Sequence, residues 1–513
     1  MPNALTEQLC SLIRSMTKAE KRHFKLFAGR NGKAVDLKFV RVFDVLEQQK
    51  KYQEDQLLKK IPGLRKAQLS NVKKHLYEQL LISLRLLQHD DHEIRIREQV
   101  DFARILYKKG LYLQSVKILE RARLDAGMKN NHTLLLEILE FEKLIELRHI
   151  TRSLGNRAGE LTGQCTQTRQ RIERTGVLSD LALNMYGFYL EHGPARHRDD
   201  FQKVTSYFRE HLPGYPLGEL GFAERIFLCQ SHVWYHLIVQ DFTQCYRYAH
   251  AWVALFDRYP EFLELDPDLY MKGLHNELTT LFYCRDIKRF KTSLQVLDSF
   301  IRSHEKNFSD NSQITAFLYY ETNVVNGFFM EGAFSEGVRY VPKLEARITR
   351  FSERLDTHRI LIFWYKIACL YFGNDDYKRC IQYLNKIINT NTPQLREDLH
   401  VFARLLNLIA HYELGNDDLL EYQLRSTYRF LLKVKDLGAV HLAILDFLKK
   451  SGTLDRRNMA GAFSALKSTL EKLSGEAFQK RSSMYLDLVS WLESKIQNKP
   501  VQAIIRKKAA EKK

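Results

Sequence analysis

The sequence predicts an all-α chain, an α-solenoid of antiparallel helix hairpins behind an N-terminal helical head. Three observations predict it. Only 10 prolines and 24 glycines occur in 513 residues, too few for an all-β chain that turns every ~8–12 residues and far too few for a disordered one. The central stretch carries apolar residues at three- and four-residue spacing between short polar breaks, which marks amphipathic helices. One hairpin pattern recurs: Gly-Asn-Asp-Asp stands at 373–376 and 415–418, 42 residues apart, each copy five residues after an alanine, Ala368 or Ala410. At roughly 150 residues per domain a single domain of this length has to be elongated.

The head occupies residues 1–90. Thr17 and Glu20 have capping-box spacing, so a helix starts there and runs through Phe24, Leu26 and Phe27, with Lys18, Lys21, Arg22 and Lys25 on its other sides. A second helix over Asp36–Tyr52 is apolar at Phe39, Val42, Phe43 and Leu46. Glu54–Ile61, the break Pro62-Gly63 and a long helix Arg65–Leu87 then read as helix, tight turn, helix. The last of these buries Leu69, Val72, Leu76 and Leu80 and presents Lys66, Ser70, Asn71, Lys73 and Lys74 near its start. A polar, basic early face of this kind suits a DNA-reading helix-turn-helix, and it equally suits a bundle that caps the solenoid.

Residues 91–435 form the repeats. In Leu361–Ile388 a first helix carries Trp364, Ile367, Ala368 and Tyr371, a polar break follows at Gly373–Asp376, and a second helix presents Tyr377, Cys380, Leu384 and Ile387. Ala368 and Cys380 are small where two helices must approach closely, and Pro393 ends the unit. Residues 96–122 repeat the pattern with Ala103, Leu106, Gly110, Tyr112, Ser115, Leu119 and Ala122. The turn position recurs at Gln240, Lys288, Gly332, Asp375 and Asp417, at intervals of 48, 44, 43 and 42. Two less regular hairpins fill the gap after Gly110, breaking near Leu154–Gly155 and Arg198–Asp199. This arrangement resembles the tetratricopeptide repeat over about residues 93–435, with units longer than the ~34 residues of that family. The stretch 212–221, with two prolines and three glycines, is the candidate bend. Residues 436–498 read as a C-terminal helical cap and 499–513 as a basic, mobile tail.

The resemblance implies that the first helices line a concave groove for a protein or peptide segment. Carried over place by place, the groove residues are Arg97, Arg104, Tyr107, Trp234, Tyr319, Thr322, Asn326, Phe329, Tyr365, Arg404, Asn407 and His411. The family's clamp for a C-terminal carboxylate places Lys four residues before Asn on one helix. Thr322 stands there before Asn326, so that clamp is absent. Several of these side chains also suit plain packing against the next hairpin.

Charge is distributed unevenly. The net is +18, from 79 Lys+Arg and 61 Asp+Glu; residues 1–90 carry +9 and residues 494–513 carry +6, leaving the body nearly neutral. Localised positive charge attracts nucleic acid, acidic proteins or anionic membranes, or simply keeps a protein in solution. Nucleic-acid contact through the head falls on Lys18, Lys21, Arg22, Lys25, Lys66, Lys73 and Lys74.

Enzyme patterns are missing. Gly29-Arg30-Asn31-Gly32-Lys33 lacks the spacing, the following Ser/Thr and the preceding strand of a phosphate loop, and no G-x-S-x-G, H-E-x-x-H or G-x-G-x-x-G occurs. Cys229, His232 and His236 share a helix face, but residues seven apart lie ~10 Å apart along a helix, so core packing suits them better than zinc. His89-Asp90-Asp91-His92-Glu93 has ligands for a divalent ion and also suits a helix start. No catalytic residue, cofactor or metal is therefore expected. Seven scattered cysteines without a C-x-x-C pair point to free thiols in a reducing compartment. No apolar run reaches 18 residues and the first residues lack a signal-peptide pattern. The expectation is a cytoplasmic, non-catalytic scaffold binding a protein partner; a nucleic-acid-associated regulator using the head is the alternative. Partner identity and oligomeric state stay open.

Overall fold

The computed structural model describes residues 4–31, 37–49, 51–89, 91–149, 156–195, 198–352, 354–390, 397–434, 438–451, 456–475 and 487–511. Among these the chain is α-helical with short 3-10 turns and no strand. It divides into two units, residues 1–172 and 173–513. The division falls inside the helix Arg157–His192 and not in the 212–221 stretch.

The first unit begins with α1 (Ala4–Ser15), α2 (Lys18–Ala28), α3 (Lys38–Gln48), α4 (Glu54–Lys60) and α5 (Lys66–Leu87). Thr17 and Glu20 form the expected capping box: the Thr17 hydroxyl accepts from Glu20 N and the Glu20 carboxylate accepts from Thr17 N. Leu9, Ile13, Phe24, Phe43, Leu57, Leu69, Leu76 and Leu80 meet in one core. Leu26, expected on the same helix face as Phe24, is 65% exposed. Then come α6 (His92–Lys108), α7 (Tyr112–Met128), α8 (His132–Arg148) and the start of α9 (Arg157–His192). Ala103, Ser115, Leu119 and Ala122 are buried between α6 and α7, and the Ser115 hydroxyl donates to Ala103 O at 2.8 Å. A small residue there lets the helices close on each other.

The second unit continues with α10 (Arg198–His211), α11 (Phe222–Ile238), α12 (Phe242–Arg258), α13 (Phe262–Leu265), α14 (Pro267–Cys284) and α15 (Ile287–His304). It runs on through α16 (Asp310–Glu331), α17 (Phe334–Phe351), α18 (Thr357–Gly373), α19 (Tyr377–Ile388), α20 (Glu397–Glu413) and α21 (Asp417–Lys433). It closes with α22 (Ala439–Ser451), α23 (Arg456–Gly475), α24 (Leu488–Gln497) and α25 (Val501–Glu511). From α14 to α20, successive helices pack on one another, and the first helices α14, α16, α18 and α20 also pack on the next first helix. Nearest-neighbour packing of this kind is compatible with a helical repeat. Ala368, Cys380, Leu384 and Ile387 are fully buried at the α18–α19 contact; truncating a leucine there costs about 2–5 kcal/mol. Pro393 and the break near Leu154–Gly155 lie outside the described residues.

The chain reversals share one local device. A residue in the left-handed region stands at Gly110, Asn130, Gln240, Arg285, Gly332, Asp375 and Gly415. The N–H of the next residue reaches back five positions: Leu111 to Leu106, Asn131 to Ala126, Asp241 to His236, Asp286 to Leu281, Ala333 to Phe328, Asp376 to Tyr371 and Asn416 to His411, all at 2.9–3.1 Å. This is the Schellman closure, which satisfies the last carbonyls of the first helix. Asp241, Asp286 and Asp376 then cap the second helix by accepting a backbone N–H three residues on. The sequence anchors Gln240, Gly332 and Asp375 coincide with the turn residue. Lys288 and Asp417 do not; the turns fall at Arg285 and Gly415.

Residues 501–511, expected in a mobile tail, instead form α25 with Val501 and Ile504 buried. With α24 this helix lies across hairpin turns. Asp487 pairs with the turn residue Arg285 at 3.2 Å. The Trp491 indole N–H donates to Glu413 Oε1 at 2.6 Å, and Lys495 pairs with the same carboxylate. Arg506 donates to Gly332 O at 3.0 Å and pairs with Glu336 at 3.1 Å. A Cβ on Gly332 would lie 2.9 Å from backbone atoms of Gln502 and Arg506, so glycine is needed there both for its φ of +62° and for the close approach. Among the described residues, Lys495 and Arg506 are therefore engaged within the chain.

Candidate functional site

The expected groove residues are divided between the two units. Three belong to the first unit and are held by their neighbours. Arg97 pairs with Glu93 at 2.7 Å. Arg104 pairs with Glu137 at 2.8 Å and lies over the Phe141 ring. The Tyr107 hydroxyl accepts from Arg148 at 3.3 Å. In the second unit Trp234 is buried against Tyr186 and Tyr189. Tyr365 is 2% exposed, a core residue. Asn407 and His411 are buried as well, and His411 Nδ1 accepts from Asn416 Nδ2 at 3.1 Å. The Arg404 guanidinium lies 4.5 Å from the Phe430 ring centre, its Nε buried without a hydrogen-bond partner among the described residues.

The basic head is also less available than its composition suggests. Lys73 is buried, donating to Thr6 Oγ1 at 2.7 Å and to the Tyr52 hydroxyl at 3.3 Å. It ties α5 to α1 and cannot reach a phosphate backbone. Lys21 pairs with Glu47, Lys25 with Asp44 and Glu47, and Lys66 with Glu54. Lys18, Arg22 and Lys74 are exposed, as are the paired Lys25 and Lys66.

Two further constellations resolve into structural roles. His232 stacks on Tyr248 at 3.8 Å and meets Phe208 edge-on, with Cys229 and His236 on the same face of α11. Burial, reinforced by the neighbouring His236, pushes the His232 imidazole down to about 4, so it is neutral. The Asp91 carboxylate caps α6 by accepting from Ile94 N at 2.9 Å. Among the described residues no group of three or more His, Cys, Asp and Glu side chains is arranged to hold a metal ion, and no helix is long and apolar enough to cross a membrane.

What the structure does bring together is a polar and aromatic cluster on α14, α16 and α18. The His275 ring of α14 stacks on Tyr319 of α16, ring centres 4.3 Å apart. Asn323 Nδ2 donates to His275 Nδ1 at 3.0 Å and to Tyr319 O at 2.8 Å. Because Nδ1 accepts, the imidazole proton resides on Nε2. Asn326 Nδ2 donates to Asn323 Oδ1 at 3.4 Å. From α18, the Lys366 ammonium donates to Asn326 Oδ1 and lies 5.6 Å from the Phe329 ring centre. Tyr319, Asn326 and Phe329 were expected here; His275, Asn323 and Lys366 were not.

Electrostatics set this cluster apart. Lys366 is 7% exposed, and among the described residues no carboxylate lies within ion-pair distance of it. Burial lowers its ammonium to about 8. Burial, then the charges of Lys366, Arg359 and Lys272, holds His275 down at about 3, so the imidazole is neutral. Burial raises the Tyr319 hydroxyl to about 12, so it stays protonated. Arg359 has Asp356 at 3.3 Å and Lys272 is countered by Asp266. Lys366 has no such carboxylate among the described residues. The cluster therefore offers N–H and O–H donors, aromatic faces and one buried cation, which suits binding an acceptor group and provides no nucleophile–base pair.

One sequence feature pointed to Lys366: it is the single charged residue between Arg359 and Asp375 in an otherwise apolar helix. The chain matches no protein-family model and no curated protein.

Proposed function

We propose that the chain is a non-catalytic protein-interaction scaffold of tetratricopeptide-like hairpins, acting in the cytoplasm, that binds a partner segment along its first helices. The observation that carries this reading is the cluster Tyr319, Asn323, Asn326, Phe329, His275 and Lys366, drawn from three successive first helices. Half-buried aromatic rings supply binding energy at small entropic cost, while amides and a cation fix orientation. The buried Lys73 and the half-buried, paired Lys21 support this reading over the nucleic-acid one, since buried or neutralised cations release few counterions.

The test is retention of a partner by the tagged full-length chain, with and without nuclease. A specific partner is expected to resist nuclease, to be lost with Tyr319→Ala plus Phe329→Ala, and to be retained with Arg22→Glu plus Lys74→Glu. Loss with the head variant and survival of the double alanine variant would transfer the function to the head.

A further inference from the structure

Lys366 has three N–H donors and gives one to an amide oxygen. Elsewhere in this unit, cations at partly buried positions meet carboxylates, as Arg347 meets Glu321 and Lys495 meets Glu413. A buried ammonium without a counter-charge is unfavourable and persists where an arriving anion completes it. Arg404, on the next first helix, likewise has a buried Nε without a hydrogen-bond partner among the described residues. Tyr319, Thr322 and Phe329 of α16 and His275 of α14 are half-buried.

Resting on the scaffold reading, we infer that the bound segment is acidic and that an Asp or Glu side chain within it seats on Lys366, beside Asn326 and the His275–Tyr319 stack. A carboxylate fits better than a phosphate. A phosphate dianion calls for two or more cations at one point, whereas the groups beside Lys366 are neutral amides and a neutral imidazole. Arg359 and Lys272 already have Asp356 and Asp266. The acid belongs to the middle of the segment and not to its end, because the row of first helices continues on either side of α16 and α18, to α14 and to α20 with its Arg404.

The test uses the full-length chain and a display library of random peptides with constant spacers at both ends, so that no free terminal carboxylate is offered. The selected pool is expected to be enriched in Asp and Glu about threefold or more over input. Replacing the acid of a selected peptide by its amide should weaken binding about tenfold or more, the scale of a lost charge-assisted bond. Lys366→Met should abolish the enrichment. Asn326→Asp, which supplies an internal carboxylate to the lysine and preserves the fold should the methionine variant fail to fold, should abolish it too. Binders without acid enrichment, or enrichment that survives both variants, overturn the acidic occupant and leave the scaffold standing. A library that yields no binder at all overturns both. Selection confined to a second library with free C-termini overturns the mid-segment placement.

Discussion

Lys73 of the first unit and Lys366 of the second are equally buried, each 7% exposed, and each lies over an aromatic ring. Their surroundings differ. Lys73 gives N–H groups to two hydroxyls from separate parts of the head, with burial lowering its pKa and the Glu54 charge opposing that shift. Lys366 gives one N–H to one amide, and among the described residues only the Cys369 thiol opposes its desolvation. Burial of a cation is thus no mark of a site by itself. The number of satisfied donors separates a tie within the fold from a place where something binds.

The largest effect is expected at Lys73. Lys73→Met removes the donor shared by Thr6 and Tyr52 and should lower stability by about 1–3 kcal/mol, read from a shifted denaturation midpoint. Lys366→Met breaks a single bond while relieving a desolvated charge, so it should change stability by no more than about 1 kcal/mol in either direction. If the two variants prove equally destabilising, the distinction between tie and site is lost.

Titration sharpens the contrast next. The folded-state pKa of Lys366, about 8, lies below its unfolded value, so the unfolded chain holds more protons between about pH 8 and 10.5. Its contribution to stability is therefore fully present above that window and lost as pH falls through it. The stability difference between Lys366→Met and the parent chain should shrink in favour of the parent as pH rises from 8 to 10.5; a flat difference would contradict the buried ammonium. His232, at about 4, and His275, at about 3, follow the same sign at lower pH. Stability should decline from about pH 6.5 toward 4.5, and His232→Phe should reduce that slope. The smallest effect sets the baseline: Arg97→Ala, which removes an exposed pair with Glu93, should cost less than about 0.5 kcal/mol.

Much of the fold was legible because its instructions are local. A capping box needs only Thr17 and Glu20, and a Schellman turn needs a residue tolerant of positive φ followed by a capping Asp, as at Asp375-Asp376. Turn registers slipped at Arg285, which gives no such cue and where the anchor fell on Lys288, and at Gly415, where the anchor fell two residues on, at Asp417. The site was less legible. Family places led to Tyr319, Asn326 and Phe329, but also to Tyr365 and Asn407, which point into the core. One helical position differs from the next by about 100°, so a small error of register exchanges groove for core.

Taken alone, the sequence determined that the chain is helical, predicted a hairpin pattern recurring at 42–48 residues, and showed which small residues stand where helices touch. Those properties come from spacing and from side chains acting within a turn or two of helix. Only the tertiary structure decided that Lys366 meets Asn326, that His275 stacks on Tyr319, and that the basic C-terminal residues clasp Gly332, Glu336 and Glu413. Each of these contacts joins residues 40 to more than 170 positions apart. No periodicity encodes such a meeting; it exists because whole helices have packed, and packing brings together side chains that are far apart along the chain.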